Sequence, residues 1–288
     1  MYGPSILARS LSRPSVPDKF GNLWQYHSRS DKHSKLACWC ILFDLLHHSA
    51  VIRAHVKDGK IGFGINHEMS DFETGRKKDL DLVICTPGPD VEIKDGAAGA
   101  QAFEQLVQKY NVVLNEQEKL ILAELPELLR VPVGSVRMAL EAKACMTAHI
   151  AALPRLHDEL NSSHLAIHGA SNFAVAAGFV MVNLAKSFLS PGKNEFDLAT
   201  EEPRINKHRQ PDVTNRTIEK INEIPRRSGN ESKGFDAIGI VVIELVNDGS
   251  PVSVVDDSPA PQATDIFHYE QMIHRIASSY ESRFAGHN

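Results

Sequence analysis

Glu141 and Lys143 lie two positions apart in the otherwise largely apolar run Val136-Arg137-Met138-Ala139-Leu140-Glu141-Ala142-Lys143-Ala144-Cys145. In an extended strand, residues i and i+2 share a face, so the carboxylate and the ammonium emerge side by side while Ala142 faces the other way. Charges in a core strand are tolerated when paired, hydrogen-bonded or holding a metal, so this pair calls for a partner. The candidate is Asp81. It is the last charge of Lys77-Lys78-Asp79-Leu80-Asp81-Leu82-Val83-Ile84-Cys85, which alternates and then turns apolar, as a strand running from an exposed end into a core does. An acidic strand followed by a Glu-x-Lys strand is a minimal kit for phosphodiester hydrolysis with a divalent metal. Asp81 and Glu141 offer hard oxygen ligands to Mg²⁺, which lowers the pKa of a bound water and neutralises phosphate charge, while Lys143 orients or deprotonates the attacking water.

At these residues the chain resembles the PD-(D/E)xK nuclease superfamily, the fold of many restriction endonucleases and of several bacterial anti-phage effector nucleases. The likeness covers roughly the first two thirds of the chain. Ser34-Lys35-Leu36-Ala37 leads into a helix ahead of both strands, much as the superfamily's first core helix precedes its hairpin. The resemblance implies that Asp81, Glu141 and the backbone carbonyl of Ala142 hold the metal and that Lys143 is catalytic. It also implies Mg²⁺ as cofactor with Mn²⁺ as a substitute, double-stranded DNA as substrate, a role in restriction or phage defence, and a homodimer, because cutting both strands takes two sites. Asp81 and Glu141 are 60 positions apart, wider than the superfamily's usual spacing, so a helical insertion is expected between them. The superfamily often carries an acidic residue in its first helix; Asp44 has that place, although its own setting reads as a helix surface.

A second Glu-x-Lys competes. Glu92 and Lys94 follow Asp81 closely, with a literal Pro89-Asp90 just before them. The flanking Pro87, Gly88, Pro89, Asp90, Asp95 and Gly96 leave a run of only about four residues, short even for an edge strand. The Glu141 strand is longer and leads directly into a helical pattern. The same charges also admit a non-catalytic reading, a nucleic-acid-binding or assembly protein on the same fold, with Lys143 paired to Glu141 across the pleat.

The elements that must position these groups follow from periodicity. Residues 1–32, rich in Ser, Pro and Arg, read as an N-terminal arm, 33–195 as the nuclease core with a helical insertion over 97–130, and 196–288 as an extension completing the same domain. Ser34 to His48 has a wide apolar helical stripe. Ile61 to Ile65, Asp79 to Cys85 and Val136 to Ala144 read as strands, the first two as a hairpin. Helices are expected over Gly99 to Tyr110, Asn115 to Leu129, Thr147 to Leu160, Val213 to Ile224 and Phe267 to Phe284. Ala174 to Leu184 and Phe235 to Leu245 read as central strands buried on both faces. The expected fold class is α/β, a mixed central sheet flanked by helices, restriction-endonuclease-like.

Composition bounds the rest. The 288 residues, 42% apolar and 23% charged, suit one elaborated soluble domain. There is no window of membrane-spanning length and no apolar signal region near Met1, so the expectation is a cytoplasmic protein without a membrane partner. The four cysteines show no C-x-x-C spacing and read as buried thiols. The 14 histidines form no H-E-x-x-H, and neither a phosphate-binding G-x-x-x-x-G-K-[ST] nor a dinucleotide G-x-G-x-x-G is present, so no nucleotide cofactor is expected. The net charge of −5 leaves DNA contact to local basic clusters: Arg76-Lys77-Lys78, Lys207-His208-Arg209 and Arg226-Arg227.

Overall fold

The structure is a computed structural model that describes residues 1–72, 74–75, 77–88, 101–229 and 232–286. The chain runs through α1 (Gly3–Leu11), β1 (Val16–Pro17), β2 (Leu23–Trp24), α2 (Lys32–His48), α3 (Ala50–Lys57), β3 (Gly62–Ser70) and β4 (Lys77–Pro87). It continues through α4 (Leu106–Lys109), α5 (Glu116–Glu124), β5 (Val133–Cys145), α6 (His149–Ala170), β6 (Val175–Asn183) and β7 (Ser187–Leu189). The last elements are β8 (Ile205–Lys207), α7 (Asp212–Asn222), β9 (Ala237–Glu244), β10 (Ser253–Val255) and α8 (Tyr269–Phe284).

Six strands form one mixed sheet in the order β10-β9-β6-β5-β4-β3. β3, β4 and β5 make an antiparallel meander, α6 carries the chain across to β6, which lies parallel to β5, and β9 is parallel to β6. Helices cover both faces, so the class is α/β with a mixed central sheet. On one face Val175, Ala177, Phe179 and Met181 of β6 pack with α1, α2, α3 and α8. On the other, Ala176, Val180 and Val182 pack with α6 and α7. That double burial is why β6 reads as an unbroken apolar run. Helix α2 is buried on nearly all sides because α1, α3 and α8 cover its outer surface.

Several expectations change. The N-terminal stretch is not a loose arm: Ile6, Leu7 and Leu11 of α1 enter the core, and β1 pairs with β2. Asp44 is not on a surface. Its fully buried carboxylate accepts from the backbone N–H of Tyr2 at 2.9 Å and of Gly3 at 2.7 Å and from the Tyr269 hydroxyl at 3.0 Å, fixing the start of α1. The insertion helices are shorter than their periodicity suggests. α5 stops at Glu124 because Leu125 precedes Pro126 and takes an extended conformation. Leu120, spaced with Ile121, Leu125 and Leu128 as an apolar face would be, is 69% exposed. α6 runs ten residues beyond Leu160; Ser162 and Ser163 turn their hydroxyls back onto the Glu159 carbonyl and do not end the helix.

The C-terminal end of β6 is fastened by Asn183. Its amide donates to the carbonyls of Met146 (3.0 Å) and Leu245 (2.8 Å) and accepts from the N–H groups of Ala185 and Leu245, both at 3.0 Å. One fully buried side chain thus joins the ends of β5, β6 and β9. Replacing it by Leu keeps the branched shape, with methyls larger than the amide oxygen and nitrogen, and leaves two N–H and two C=O groups without those partners. Asn183→Leu should therefore cost about 3–5 kcal/mol in urea unfolding; a loss under about 1 kcal/mol would contradict this account.

Candidate functional site

β4 and β5 pair in register from Ile84 opposite Met138 to Leu82 opposite Leu140, and the ladder ends there. One further step would set Asp81 opposite Glu141. The two acidic positions therefore fall on adjacent strands, just where those strands part. On β5 the alternation holds. Met138, Leu140 and Ala142 join the α2 face, while Ala139 and Cys145 join the α6 face, together with Glu141 and Lys143.

On β4 the alternation breaks. Leu82 and Ile84 face α2, but Leu80 lies with Val83 and Cys85 on the α6 side. The break coincides with Asn66 on β3, whose φ of 52° is left-handed and where pairing passes over Asn66 and Asp81. Asp81 thereby turns toward α2. Its Oδ1 accepts from Lys35 Nζ at 2.7 Å and Ser34 Oγ at 3.2 Å, and its Oδ2 accepts from the backbone N–H of Ala142 at 3.0 Å. Lys35, 4% exposed, also bonds Asn66 Oδ1.

Glu141 is 1% exposed. Its Oε1 lies 2.7 Å from Lys143 Nζ and 3.4 Å from Lys78 Nζ, and its buried Oε2 has no hydrogen-bond partner. Burial raises the Glu141 pKa, with the charge of Asp81 adding to the rise and Lys143 and Lys78 opposing it. For Lys143, burial pulls the other way, but Glu141 and then Glu159, whose Oε2 is 3.1 Å away, more than offset it and leave the pKa raised. Burial likewise opposes the ionisation of Glu159, yet the Arg155 Nε–H bond at 2.6 Å and Lys143 hold it below the ordinary carboxylate range. Lys143 is thus a cation gripped by two carboxylates and not a free base.

Asp81, Ala142, Lys143 and Glu159 line a cleft of about 500 Å³ whose other walls come from the 26–34 and 144–147 segments, Ala152, Arg155 and Leu156 of α6, and the 188–191 segment. The structure gathers the three expected site residues at this end of the sheet, with Ala142 meeting Asp81 through its N–H. Lys35, Ser34, Lys78 and Glu159 belong to the same cluster; in the sequence Ser34-Lys35 reads only as a helix lead and Lys78 as a DNA contact, and Glu159 carries no signal of this role. Only the i, i+4 spacing of Arg155 and Glu159 hinted at a pairing there. The rival residues Glu92 and Lys94, with Pro89-Asp90, lie outside the described residues. Lys77 pairs with Glu68 in solvent, and Lys78 turns inward. All four cysteines are buried free thiols.

Among the described residues no three His, Cys, Asp or Glu side chains form a metal cluster; Asp81 and Glu141 offer two carboxylates. No single helix among them is long and apolar enough to cross a membrane. Comparison of the chain with protein-family models, with curated proteins and with solved structures returns no match.

The raised pKa of Glu141 has a definite sign for stability. Between its ordinary value and the raised folded one, the folded state holds the proton that the unfolded state has lost, so stability falls as pH climbs through that window. Glu141→Gln removes the titration. In EDTA its thermal midpoint should match the wild type near pH 4 and exceed it at pH 8. A variant less stable than wild type at pH 8 would show that the charge stabilises the fold.

Proposed function

We propose that this protein is a Mg²⁺-dependent DNA endonuclease of the PD-(D/E)xK type, acting in restriction or phage defence. The observation that carries the reading is the placement of Asp81 and Glu141-Ala142-Lys143 on adjacent strands where their pairing ends, with Asp81, Ala142 and Lys143 at the wall of a cleft and the Glu141 Oε2 buried behind it and unpartnered. A helix, an antiparallel meander, a crossover helix and a parallel strand, here α2, β3, β4, β5, α6 and β6, are the arrangement expected of a restriction-endonuclease-like core, which supports the same reading.

The residues suit a hard divalent cation. Mg²⁺ commonly takes one or two protein carboxylates and completes its shell with water and phosphate oxygens, so Asp81 and Glu141, with the Ala142 carbonyl, are a sufficient protein contribution. When bound, such an ion acidifies a coordinated water and offsets phosphate charge. Lys143 stays protonated between Glu141 and Glu159, so its part is to orient water by hydrogen bonding and to stabilise negative charge gathering on phosphorus oxygens. Lys35 and Ser34 hold Asp81 at its end of the meander. A homodimer would supply the second site for the second strand.

One observation favours a non-catalytic reading. Each carboxylate already has a lysine counter-ion, Lys35 on Asp81 and Lys143 on Glu141, as a structural charge network would.

Cleavage assays separate the two. Purified protein with Mg²⁺ or Mn²⁺ should cut plasmid or linear DNA, and EDTA should abolish cutting. Lys143→Ala and Asp81→Asn should each lower the rate at least about 100-fold, with circular dichroism unchanged. DNA left intact by the wild type, or cut equally by Lys143→Ala, would exclude the nuclease reading.

A further inference from the structure

The cleft carries two features that the carboxylates do not need: an aromatic wall and an arginine rim. Half-buried His33 lies against Tyr26, itself 8% exposed, with ring centroids 4.7 Å apart, both rings at the cleft; fully buried Phe188 backs Tyr26 edge-on at 6.2 Å. Burial pushes the His33 pKa down to about 4 and the Tyr26 phenol up to about 12, so this wall is uncharged near neutral pH. Neutral π surfaces of this kind stack on nucleobases whatever their sequence.

The rim is cationic. Arg29 and Arg155 line the same cleft with side chains 79% and 84% exposed. Arg29 stands 3.7 Å from Glu195, an exposed pair of little energetic weight, and Arg155 donates its Nε–H to Glu159 while the rest of its guanidinium stays in solvent. Planar guanidinium groups match phosphate oxygens in pairs. The volume limits what fits. About 500 Å³ falls inside the roughly 300–1,000 Å³ of small-molecule pockets, room for one nucleotide and too little for a length of duplex.

We propose that this cleft is a subsite for one unpaired nucleotide of a nucleic-acid strand, its base against Tyr26 and His33 and its flanking phosphates on Arg29 and Arg155. The subsite deepens the nuclease reading, on which the fate of the bound strand rests: the substrate enters as a single strand, an overhang or a flipped nucleotide. An intact duplex would have to open first, at the cost of unstacking.

Binding in EDTA tests the subsite without any cleavage. Fluorescence anisotropy is measured with a labelled single-stranded DNA of about 20 nucleotides, longer than the roughly 4–16 that single-strand grooves cover, with its RNA counterpart, the blunt duplex, and a duplex bearing a short overhang. Single strand and overhang should bind at least about tenfold more tightly than the blunt duplex. Arg29→Ala and Arg155→Ala should each weaken single-strand binding about three- to tenfold, with the thermal midpoint unchanged. A 2-aminopurine in the strand should be quenched on binding to the wild type, and less so with Tyr26→Leu; should that variant fail to fold, quenching by the wild type and the two arginine variants decide. Tighter binding of the RNA strand supports the subsite and assigns the sugar. Equal affinity for blunt duplex, no binding of any strand, or unchanged affinity in both arginine variants overturns it. Plasmid cleavage with equal duplex affinity would leave the nuclease standing without this subsite; single-strand binding without cleavage would leave the subsite and remove the nuclease.

Discussion

A carboxylate on a strand that helices cover is the constraint around which this end of the molecule is arranged. Taking Glu141 out of water is costly unless other charges or hydrogen bonds replace the solvent. The fold supplies Lys143 from the same strand, Lys78 from the neighbouring one and Glu159 from α6 to hold Lys143 in turn. The supply is incomplete. One carboxylate oxygen stays unpartnered, and the charge of Asp81 works against ionisation. Structural networks tend to satisfy every polar atom, whereas functional sites often leave one short.

The two lysine pairs are unequal partners in that arrangement. Lys35 reaches Asp81 from a helix that is otherwise core, so its ammonium is held by the sheet's shape as well as by charge. Asn66, left-handed and opposite Asp81, gives β4 the turn that presents the carboxylate to that lysine. Without the irregularity, strict alternation would place Asp81 with Val83 and Cys85 on the α6 face, beside Glu141. The side chains thus approach the end of the sheet from different sides, Asp81 taking the backbone N–H of Ala142 and Glu141 the ammonium groups of Lys143 and Lys78.

Much of this was legible in the sequence because central strands and core helices leave strong periodic signals. β4, β5, β6 and β9 show as apolar runs, and the shared face of Glu141 and Lys143 follows from strand period alone. The face of Asp81 does not, since Asp79-Leu80-Asp81-Leu82 alternates perfectly and the break comes from Asn66 on another strand. Lys35 was invisible as a partner because a lysine at the start of a helix ordinarily faces solvent. The short pairs β1 with β2 and β7 with β8 are two and three residues long, too brief for a period-two signal, and they form because long-range contacts bring them together. α1 was masked by its Ser, Pro and Arg content; its burial depends on Asp44, 41 residues beyond Gly3.

That dependence has a consequence for how the protein comes into being. The hydroxyl of Tyr269 completes the cradle of Asp44 that seats α1, and Asn22 bonds Phe196 and Leu198 beside the cleft's rim. The cleft therefore draws its walls from the 26–34, 142–159 and 188–191 segments, which are synthesised well apart in time. A nascent chain can assemble the meander of β3, β4 and β5 early, but the cleft is complete only once α6 and the 188–191 segment have followed. Any chemistry housed there is withheld from incomplete chains by topology alone.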